Sequence, residues 1–397
     1  MTREIYNSKD KKNKKNFTAF KVFGKWGNLD ISFLCIVIVL LVIGIVMMFS
    51  AGYAIAVSKG HAGTYYVSRQ IIFAIIGLFV MFVLSYWDYH FFAKRWVAFS
   101  IFGVALVLLA LVLTPLGYGT DTGIKRWLGF GSFSFQPSEV MKFGIIVLFS
   151  YLISNNYDKM KKFKTGIVPY LVILGVVSGL MMLEPHLSGT LLICFIGIII
   201  VFVGGARFVH MLALGGIGVA GLASVIIYKS SVEGFNYFQE RIQGWRDPFA
   251  DATDKTWQTC QSLIAIGSGG VFGLGLGESR QKYLYLPESQ NDFVFAIVCE
   301  ELGFIGAVTV ILLFALFVFR GMLIASNAKD KFGMLMCVGL TIQVGIQAFL
   351  NIAVASNFMP NTGISLPFFS YGGTSLIMLL AQMGIILNIS RQSNMEK

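Results

Sequence analysis

The sequence predicts an all-α protein that crosses a membrane about ten times. Of its 397 residues, 56% are hydrophobic and only 13% are charged, whereas soluble domains carry about 25% charged residues. The mean hydropathy is +0.74. Apolar runs long enough to span a bilayer, about 17–25 residues each, occur at 31–51, 70–87, 96–114, 138–154, 166–183, 188–205, 211–228, 292–319, 333–355 and 373–390.

The distribution of basic residues predicts the orientation of these spans. Ten spans place both termini on one side of the membrane, and most of the 31 Lys and Arg residues fall on that side. Because basic loops stay in the cytoplasm, both termini are predicted to be cytoplasmic. The net charge of +11 is then explained by topology and by attraction to anionic membrane lipids. It does not indicate nucleic-acid binding.

The predicted domain organisation is simple. Residues 1–28 form a basic cytoplasmic tail, residues 29–391 form one membrane domain, and residues 392–397 form a second cytoplasmic tail. A long outer loop, about 229–291, joins spans 7 and 8, and its apolar stretch 262–277 is too short to span, which predicts a re-entrant or interfacial segment. The cytoplasmic loops are short and carry no nucleotide-binding motif, so chemistry is expected on the outer face.

Asp292 ends a polar run and leads into a span that carries Glu300 and Glu301. Carboxylates inside a span cost about 2.5–3.5 kcal/mol each, which favours a function for at least one of them; helix capping is the alternative for Asp292. Glu300 and Glu301 are expected about 12–14 Å deeper than Asp292. Because neighbouring helical side chains point in different directions, the two are expected not to share a partner, and Lys142 is a candidate partner for Glu300.

Cationic side chains form two further candidate groups. Lys142 is the only basic residue within a predicted span, and it lies three residues after Glu139 on the same helix face. Arg126 precedes this pair, and Arg241 lies in the long outer loop. These cations are interpreted as phosphate-binding groups. A local ion pair and a helix cap are the alternative for the first group, and pairing with nearby acids is the alternative for Arg241.

The stretch 360–375 contains two prolines and three glycines next to the last span. This composition predicts irregular backbone at membrane depth, which is tolerated only where protein or a water-filled cavity shields it. The hydroxyls of Ser370 and Tyr371 are expected to line a polar site there. A purely structural re-entrant turn is the alternative.

Seven stretches, in this order along the chain, resemble the SEDS family of shape, elongation, division and sporulation proteins. They are Arg126-Trp127; Gln136-Pro137-Ser138-Glu139 with Lys142; Arg241 with Asp247-Pro248; 261–270; Tyr285-Leu286-Pro287-Glu288 through Asp292-Phe293; Glu300-Glu301-Leu302-Gly303; and Leu366-Pro367-Phe368-Phe369-Ser370-Tyr371-Gly372-Gly373. The chain most resembles the division and sporulation branch, typified by FtsW, with the elongation branch, typified by RodA, as the alternative. It departs from the family pattern at Asn291, where Thr is usual, and at His186, where Asp is usual.

The resemblance implies a peptidoglycan glycosyltransferase that polymerises lipid II at the outer face of the bacterial cytoplasmic membrane. The implied partners are a class B penicillin-binding transpeptidase and other division proteins. Asp292 is the implied catalytic residue, and no cofactor is implied with certainty, although Mg²⁺ or Mn²⁺ is a candidate for the pyrophosphate. The implied substrate-binding residues are Arg126, Lys142, Arg241, Glu139, Glu288, Ser370 and Tyr371.

Two other functions fit part of the pattern. A lipid II flippase would also use intramembrane charge and broken helices, and a non-catalytic septal scaffold would need none of the outer carboxylates. The chain shows no clear internal repeat, and its informative charges cluster toward the outer side. Both observations favour the polymerase.

Overall fold

The structure, a computed structural model, describes residues 29–119, 125–130, 133–184, 186–210, 244–250 and 256–393. The helices of at least twelve residues are α1 (Ile31–Ser58), α2 (Tyr65–Tyr86), α3 (Arg95–Val112), α4 (Pro137–Asn155), α5 (Val168–Leu183), α6 (Leu187–Val203), α7 (Trp257–Ser268), α8 (Val294–Ser326), α9 (Lys331–Ala355) and α10 (Gly373–Gln392). The strands are β1 (Gly117–Gly119), β2 (Lys125–Phe130) and β3 (Phe133–Phe135).

The helices match nine of the ten predicted spans. Seven of them, α1 to α4 and α8 to α10, are long and apolar enough to cross a membrane, and α5 and α6 are shorter apolar helices. The predicted span 211–228 and most of the two predicted tails lie outside the described residues. The prediction of a polytopic helical membrane protein is confirmed, while the number of spans and their orientation stay predictions.

A small antiparallel sheet adds to the predicted all-α architecture. Its strand order is β1-β2-β3, with Leu128 paired to both Gly117 and Phe135. The hydroxyl of Thr374, at the start of α10, donates to the backbone oxygen of Ser134 at 3.2 Å. Strands this short carry too little sequence periodicity to be predicted, so they are an addition to the predicted helices.

Helix α8 is broken at Gly303, whose φ of 67° lies in the left-handed region. The segment 270–275 pairs with the break: Phe304 N donates to Gly270 O at 2.9 Å, and Leu274 N donates to Glu300 O at 2.9 Å. Backbone groups freed inside a bilayer need such partners. A Cβ at Gly303 would lie 2.3 Å from Gly273 N, so only glycine permits this approach.

The long outer loop is described at 244–250 and from 256 onward. Helix α7 ends at Ser268 and turns follow it, so the stretch 262–277 is not one continuous helix. Its re-entrant or interfacial position stays a prediction. The hydroxyl of Ser262 donates to Ala355 O at 2.7 Å, which attaches α7 to the end of α9. We call the end of the bundle that carries this contact and residues 356–372 the site face.

The opposite face holds the described ends of the chain together. Asp30 N donates to the hydroxyl of Ser390 at 3.4 Å, and Arg320 binds the Asp30 carboxylate at 2.9 Å. Nearby, the ring of His90 lies between Asp88 (2.7 Å) and Asp330 (3.0 Å). Hydrogen bonding to Asp330 raises the pKa of His90 to about 9.

Candidate functional site

Residues 356–372 form an irregular segment that α9 holds in place. The amide of Gln347 donates to Ser365 O at 3.1 Å, and one turn later the amide of Asn351 donates to Ile364 O at 2.6 Å. Asn351 is fully buried, and its amide nitrogen is the part of the side chain that makes hydrogen bonds. The irregular backbone that the sequence predicts is present. The side-chain amides of Gln347 and Asn351, inside a predicted span, hold it in place.

Sequence reasoning missed these amides. Gln343, Gln347 and Asn351 follow one another at four-residue spacing, which places them on one face of a helix. Gln343 pairs with Gln382 of α10 at 3.0 Å. A row of amides at helical spacing within a span was the signal that would have identified them, because polar side chains in spans usually face the bundle interior.

Asp292 lies against this segment, two residues before the first residue of α8. The amide of Asn351 also donates to Asp292 O at 2.7 Å, and the hydroxyl of Ser370 donates to Asn291 O at 2.5 Å. The carboxylate atom Oδ2 lies 3.2 Å from the position that a Cβ on Gly363 would take. Asp292 is partly exposed, so its carboxylate is fixed in position but reachable. Phe293, and not Asp292, occupies the N-cap position of α8.

Lys142 approaches the same segment from α4. Pro137 starts that helix, as predicted, and the Nζ atom of Lys142 lies 2.7 Å from Oε1 of Glu139 and 3.0 Å from Oε1 of Gln347. Lys142 is only 3% exposed. A crevice at this point is lined by Glu139, Gln347, Ser365 and Ser370 together with apolar residues of the segment and of α10. The local Glu139–Lys142 ion pair, the alternative interpretation of this group, is thus present beside the irregular segment. Phosphate binding by Lys142 stays a prediction.

The loop between α5 and α6 and the first turn of α6 also reach the site face. The hydroxyl of Ser188 donates to Thr362 O, and His186 Nε2 lies 3.4 Å from the amide of Gln136. Burial raises the pKa of Glu184 to about 7, although the nearby Arg126 guanidinium opposes that shift. Burial, with the charges of Arg126 and Lys142, lowers the pKa of His186 to about 3. His186 is therefore neutral, and Arg126 is close enough to Glu184 to influence it.

Four further residues were predicted to bind substrate, and the structure describes three of them: Glu288, Ser370 and Tyr371. The exposed carboxylate of Glu288 accepts from the amide of Asn291 at 2.6 Å. Ser370 accepts from Leu366 N at 2.7 Å in addition to its bond to Asn291, so this hydroxyl supports the segment. Tyr371 N donates to Gln290 O at 2.9 Å. Arg241 lies outside the described residues.

The expectation for Glu300 and Glu301 was wrong in two respects. Lys142 is not the partner of Glu300, whose carboxylate instead accepts from the hydroxyl of Ser279 at 2.5 Å and from Arg280 N at 2.9 Å. The two glutamates also share a partner, because Ser279 N donates to Glu301 at 3.3 Å. The loop 277–282 crosses α8, and its hydrogen-bond donors reach both glutamates although these point in different directions. The spacing of residues in the sequence does not show such a crossing.

The divalent cation stays a prediction. Within the described ranges, no three His, Cys, Asp or Glu side chains gather in a group that would hold a metal ion. The charges close to the crevice are those of Lys142 and its partner Glu139.

The fold and this polar face define a polytopic helical membrane protein with a carboxylate and cations gathered at one end of the bundle. The model of the family described as cell cycle protein, with the members FtsW, RodA and SpoVE, matches residues 31–395. The chain belongs to this family, which confirms the resemblance drawn from the motifs.

Curated relatives cover nearly the whole chain. A probable peptidoglycan glycosyltransferase FtsW of Geobacter sp. (strain M18) is 37% identical over 361 residues, which are 91% of this chain and 96% of the relative. Stage V sporulation protein E of Bacillus subtilis (strain 168) is 39% identical over 371 residues, 92% of this chain and 97% of the relative.

Two solved structures share the fold. A chain of a peptidoglycan synthase complex superposes with a TM-score of 0.76 at 26% identity. The rod shape determining protein RodA of Thermus thermophilus superposes with a TM-score of 0.67, also at 26% identity. Each comparison covers 94% of this chain and 100% of the other.

Proposed function

We propose that this protein is a peptidoglycan glycosyltransferase that polymerises lipid II at the outer face of the bacterial cytoplasmic membrane, for cell division. The observation that carries the proposal is the placement of Asp292: Asn351 holds its backbone beside the irregular segment, and its side chain stays partly exposed. Membership of the family and the names of the curated relatives support the reaction class.

The reaction needs one base. The acceptor sugar hydroxyl attacks the anomeric carbon of the donor, and the bond from that carbon to the lipid pyrophosphate breaks with its electron pair on the pyrophosphate. Asp292 accepts the hydroxyl proton. Because pyrophosphate leaves without being protonated, the second carboxylic acid that glycosidases use is unnecessary, and a single carboxylate is sufficient.

The negative charge that develops on the leaving pyrophosphate needs fixed positive charge nearby. We assign Lys142 to this role, although its ion pair with Glu139 offsets part of its charge. Gln347 holds its ammonium beside the irregular segment, and Gln347 and Asn351 lie one helical turn apart. Arg126, near Glu184, and Arg241 are the further cations that we assign to phosphate. A divalent cation bound with the pyrophosphate would supply additional charge.

The proposed reaction also requires a site at the membrane surface and a partner enzyme. A lipid-linked substrate requires a site that opens at the membrane surface. The position of the site face at the ends of apolar helices supports that location. We assign a class B penicillin-binding transpeptidase as partner, supported by the similarity to a chain of a peptidoglycan synthase complex.

The test is polymerisation of lipid II by the purified protein, with and without the partner transpeptidase. We expect glycan strands, made faster when the partner is present. Movement of lipid II across vesicle membranes without polymer would favour the flippase. Absence of both activities from a folded protein in complex with its partner would reject the enzyme assignment.

A further inference from the structure

Arg69 lies in the first turns of α2, at the site face, and was not among the residues predicted from the sequence. Its guanidinium is exposed and stands 4.5 Å above the ring of Tyr65, which itself stacks on His61 at 4.2 Å. The guanidinium also lies close enough to the hydroxyl of Tyr371 to act on it electrostatically. A cation held over the face of an aromatic ring loses much of its freedom. Arg69 is therefore held in position although it faces solvent.

The neighbouring residues attach Arg69 to the site. The amide of Gln70, which is fully buried, donates to Ser370 O at 3.2 Å and accepts from Gly372 N at 3.4 Å. The ring of Tyr66 meets the ring of Tyr371 edge-on at 4.9 Å. Since Tyr371 is bonded to Gln290, two residues before Asp292, the position of Arg69 is linked to that of the carboxylate.

The charge of Arg69 is not neutralised by a carboxylate. Among the described residues, no Asp or Glu oxygen lies within 4 Å of its guanidinium, whereas Lys142, Lys282 and Arg320 each pair with an acid. The guanidinium fork matches two phosphate oxygens. An ordered, exposed and uncompensated arginine beside a tyrosine hydroxyl is suited to bind a phosphate oxyanion.

The proposed reaction requires two phosphate sites. The donor loses its pyrophosphate, but the acceptor lipid II keeps the one that ties it to the lipid. Lys142 approaches the irregular segment near Ser365, and Arg69 approaches it at Tyr371. We propose that Arg69, with the hydroxyl of Tyr371, binds the retained pyrophosphate of the acceptor. This inference rests on the proposed function, and a phospholipid headgroup is the other source of the same phosphate chemistry.

The experiment measures binding and turnover separately. Lipid II binding is measured by titration into vesicles that contain the Asp292→Asn protein, alone or combined with Arg69→Gln, Arg69→Lys, Tyr371→Phe or Lys59→Gln. Lys59 is an exposed cation at the end of α1 with no side-chain partner among the described residues, and it serves as the control. The vesicles are phosphatidylcholine with or without phosphatidylglycerol.

We expect Arg69→Gln to weaken lipid II binding about tenfold, the loss expected for one charge-assisted hydrogen-bonded contact. The lipid II affinity of the Arg69→Lys protein should lie between those of the parent and Arg69→Gln proteins. The affinity of the Lys59→Gln protein should equal that of the parent. In the active protein, Arg69→Gln should raise the KM for lipid II and leave kcat and the thermal unfolding temperature unchanged. A purely structural arginine would lower the unfolding temperature instead.

Three results would bear on the assignment of Arg69 to the acceptor pyrophosphate. Equal lipid II affinity in the Arg69→Gln and parent proteins would overturn the inference. An effect confined to the dependence on phosphatidylglycerol would assign the phosphate to a phospholipid headgroup, and would likewise overturn the acceptor site. If Arg69→Gln weakens binding but the wild-type protein never polymerises lipid II, the phosphate site stands and the proposed function fails.

Discussion

The Nζ atom of Lys282 lies 3.0 Å from Oε1 of Glu301, and both side chains are almost completely buried. Ser50 of α1 donates to the same Glu301 oxygen at 2.6 Å, so the pair joins the outer loop, α1 and α8. An ion pair at this depth is weak evidence for net stabilisation, but removal of one partner leaves a buried charge uncompensated. Removal of Lys282 alone is therefore expected to lower the stability of the folded protein.

Lys282→Met should destabilise the protein by about 3–5 kcal/mol, because Glu301 would stay buried without its cation. The double variant Lys282→Met/Glu301→Gln should recover much of that loss. Thermal unfolding in detergent measures both effects, with the exposed Lys161→Met as control. Equal unfolding temperatures for Lys282→Met and the control would show that the pair contributes nothing.

Asp292→Asn should reduce polymerisation by about 10²–10⁴-fold, the usual cost of losing a general base. The amide keeps the size of the side chain, and the bond from Asn351 to the backbone of residue 292 is retained, so the protein should stay folded. Glu278→Gln, an exposed acid of the same loop, is the control. Wild-type rates in the Asp292→Asn protein would remove Asp292 from the mechanism.

Gly363→Ala should lower turnover several-fold while Gly60→Ala does not. Both glycines have positive φ, 66° and 75°, so both variants carry a left-handed backbone penalty of about 1–2 kcal/mol. Only at Gly363 would the new methyl lie 3.2 Å from the Asp292 carboxylate; at Gly60 nothing lies within 4 Å. Initial rates of lipid II polymerisation, compared at equal amounts of folded protein, measure the difference. Equal rates for the two variants would show that the Asp292 carboxylate tolerates displacement.

Lys142→Gln should reduce turnover by about 10²-fold, as expected for loss of a group that stabilises developing charge. Glu139→Gln breaks the same ion pair but keeps the cation, so its effect on turnover should be smaller. Single-turnover rates, together with unfolding temperatures, separate the two roles. Matching losses of stability, with equal residual turnover, would make Lys142 a structural partner of Glu139.

His90→Gln should destabilise the protein by about 0.5–1 kcal/mol, a value appropriate to a half-exposed ionic network. The pKa of His90 is raised to about 9 from an ordinary 6.5, so the protonated ring stabilises the fold fully below about pH 6.5. That contribution is lost as the pH rises through about 9. Unfolding temperatures of wild type and variant should therefore differ at about pH 6 and converge at about pH 10. A constant difference across that range would exclude the titration of His90 as its source.

The amino-acid sequence determined the class of protein and the principal candidate residues. Apolar runs of bilayer length can be recognised from the sequence alone. A membrane-spanning helix satisfies its own backbone hydrogen bonds, so its formation does not depend on residues far away in the chain. The motifs likewise identified the family and marked Asp292, Lys142 and Glu139. The helix start at Pro137 and the irregular backbone at 360–372 also followed from local composition.

Only the tertiary structure decided which residues support and accompany that carboxylate. Asn351 lies 59 residues from Asp292, Lys282 pairs across 19 residues with Glu301, and Gln70 meets Ser370 across 300. Such contacts depend on how helices cross and how loops return over them, and no local period encodes either. The sequence therefore misassigned the partner of Glu300 and passed over Arg69, whose role becomes visible only where α2 meets Tyr371.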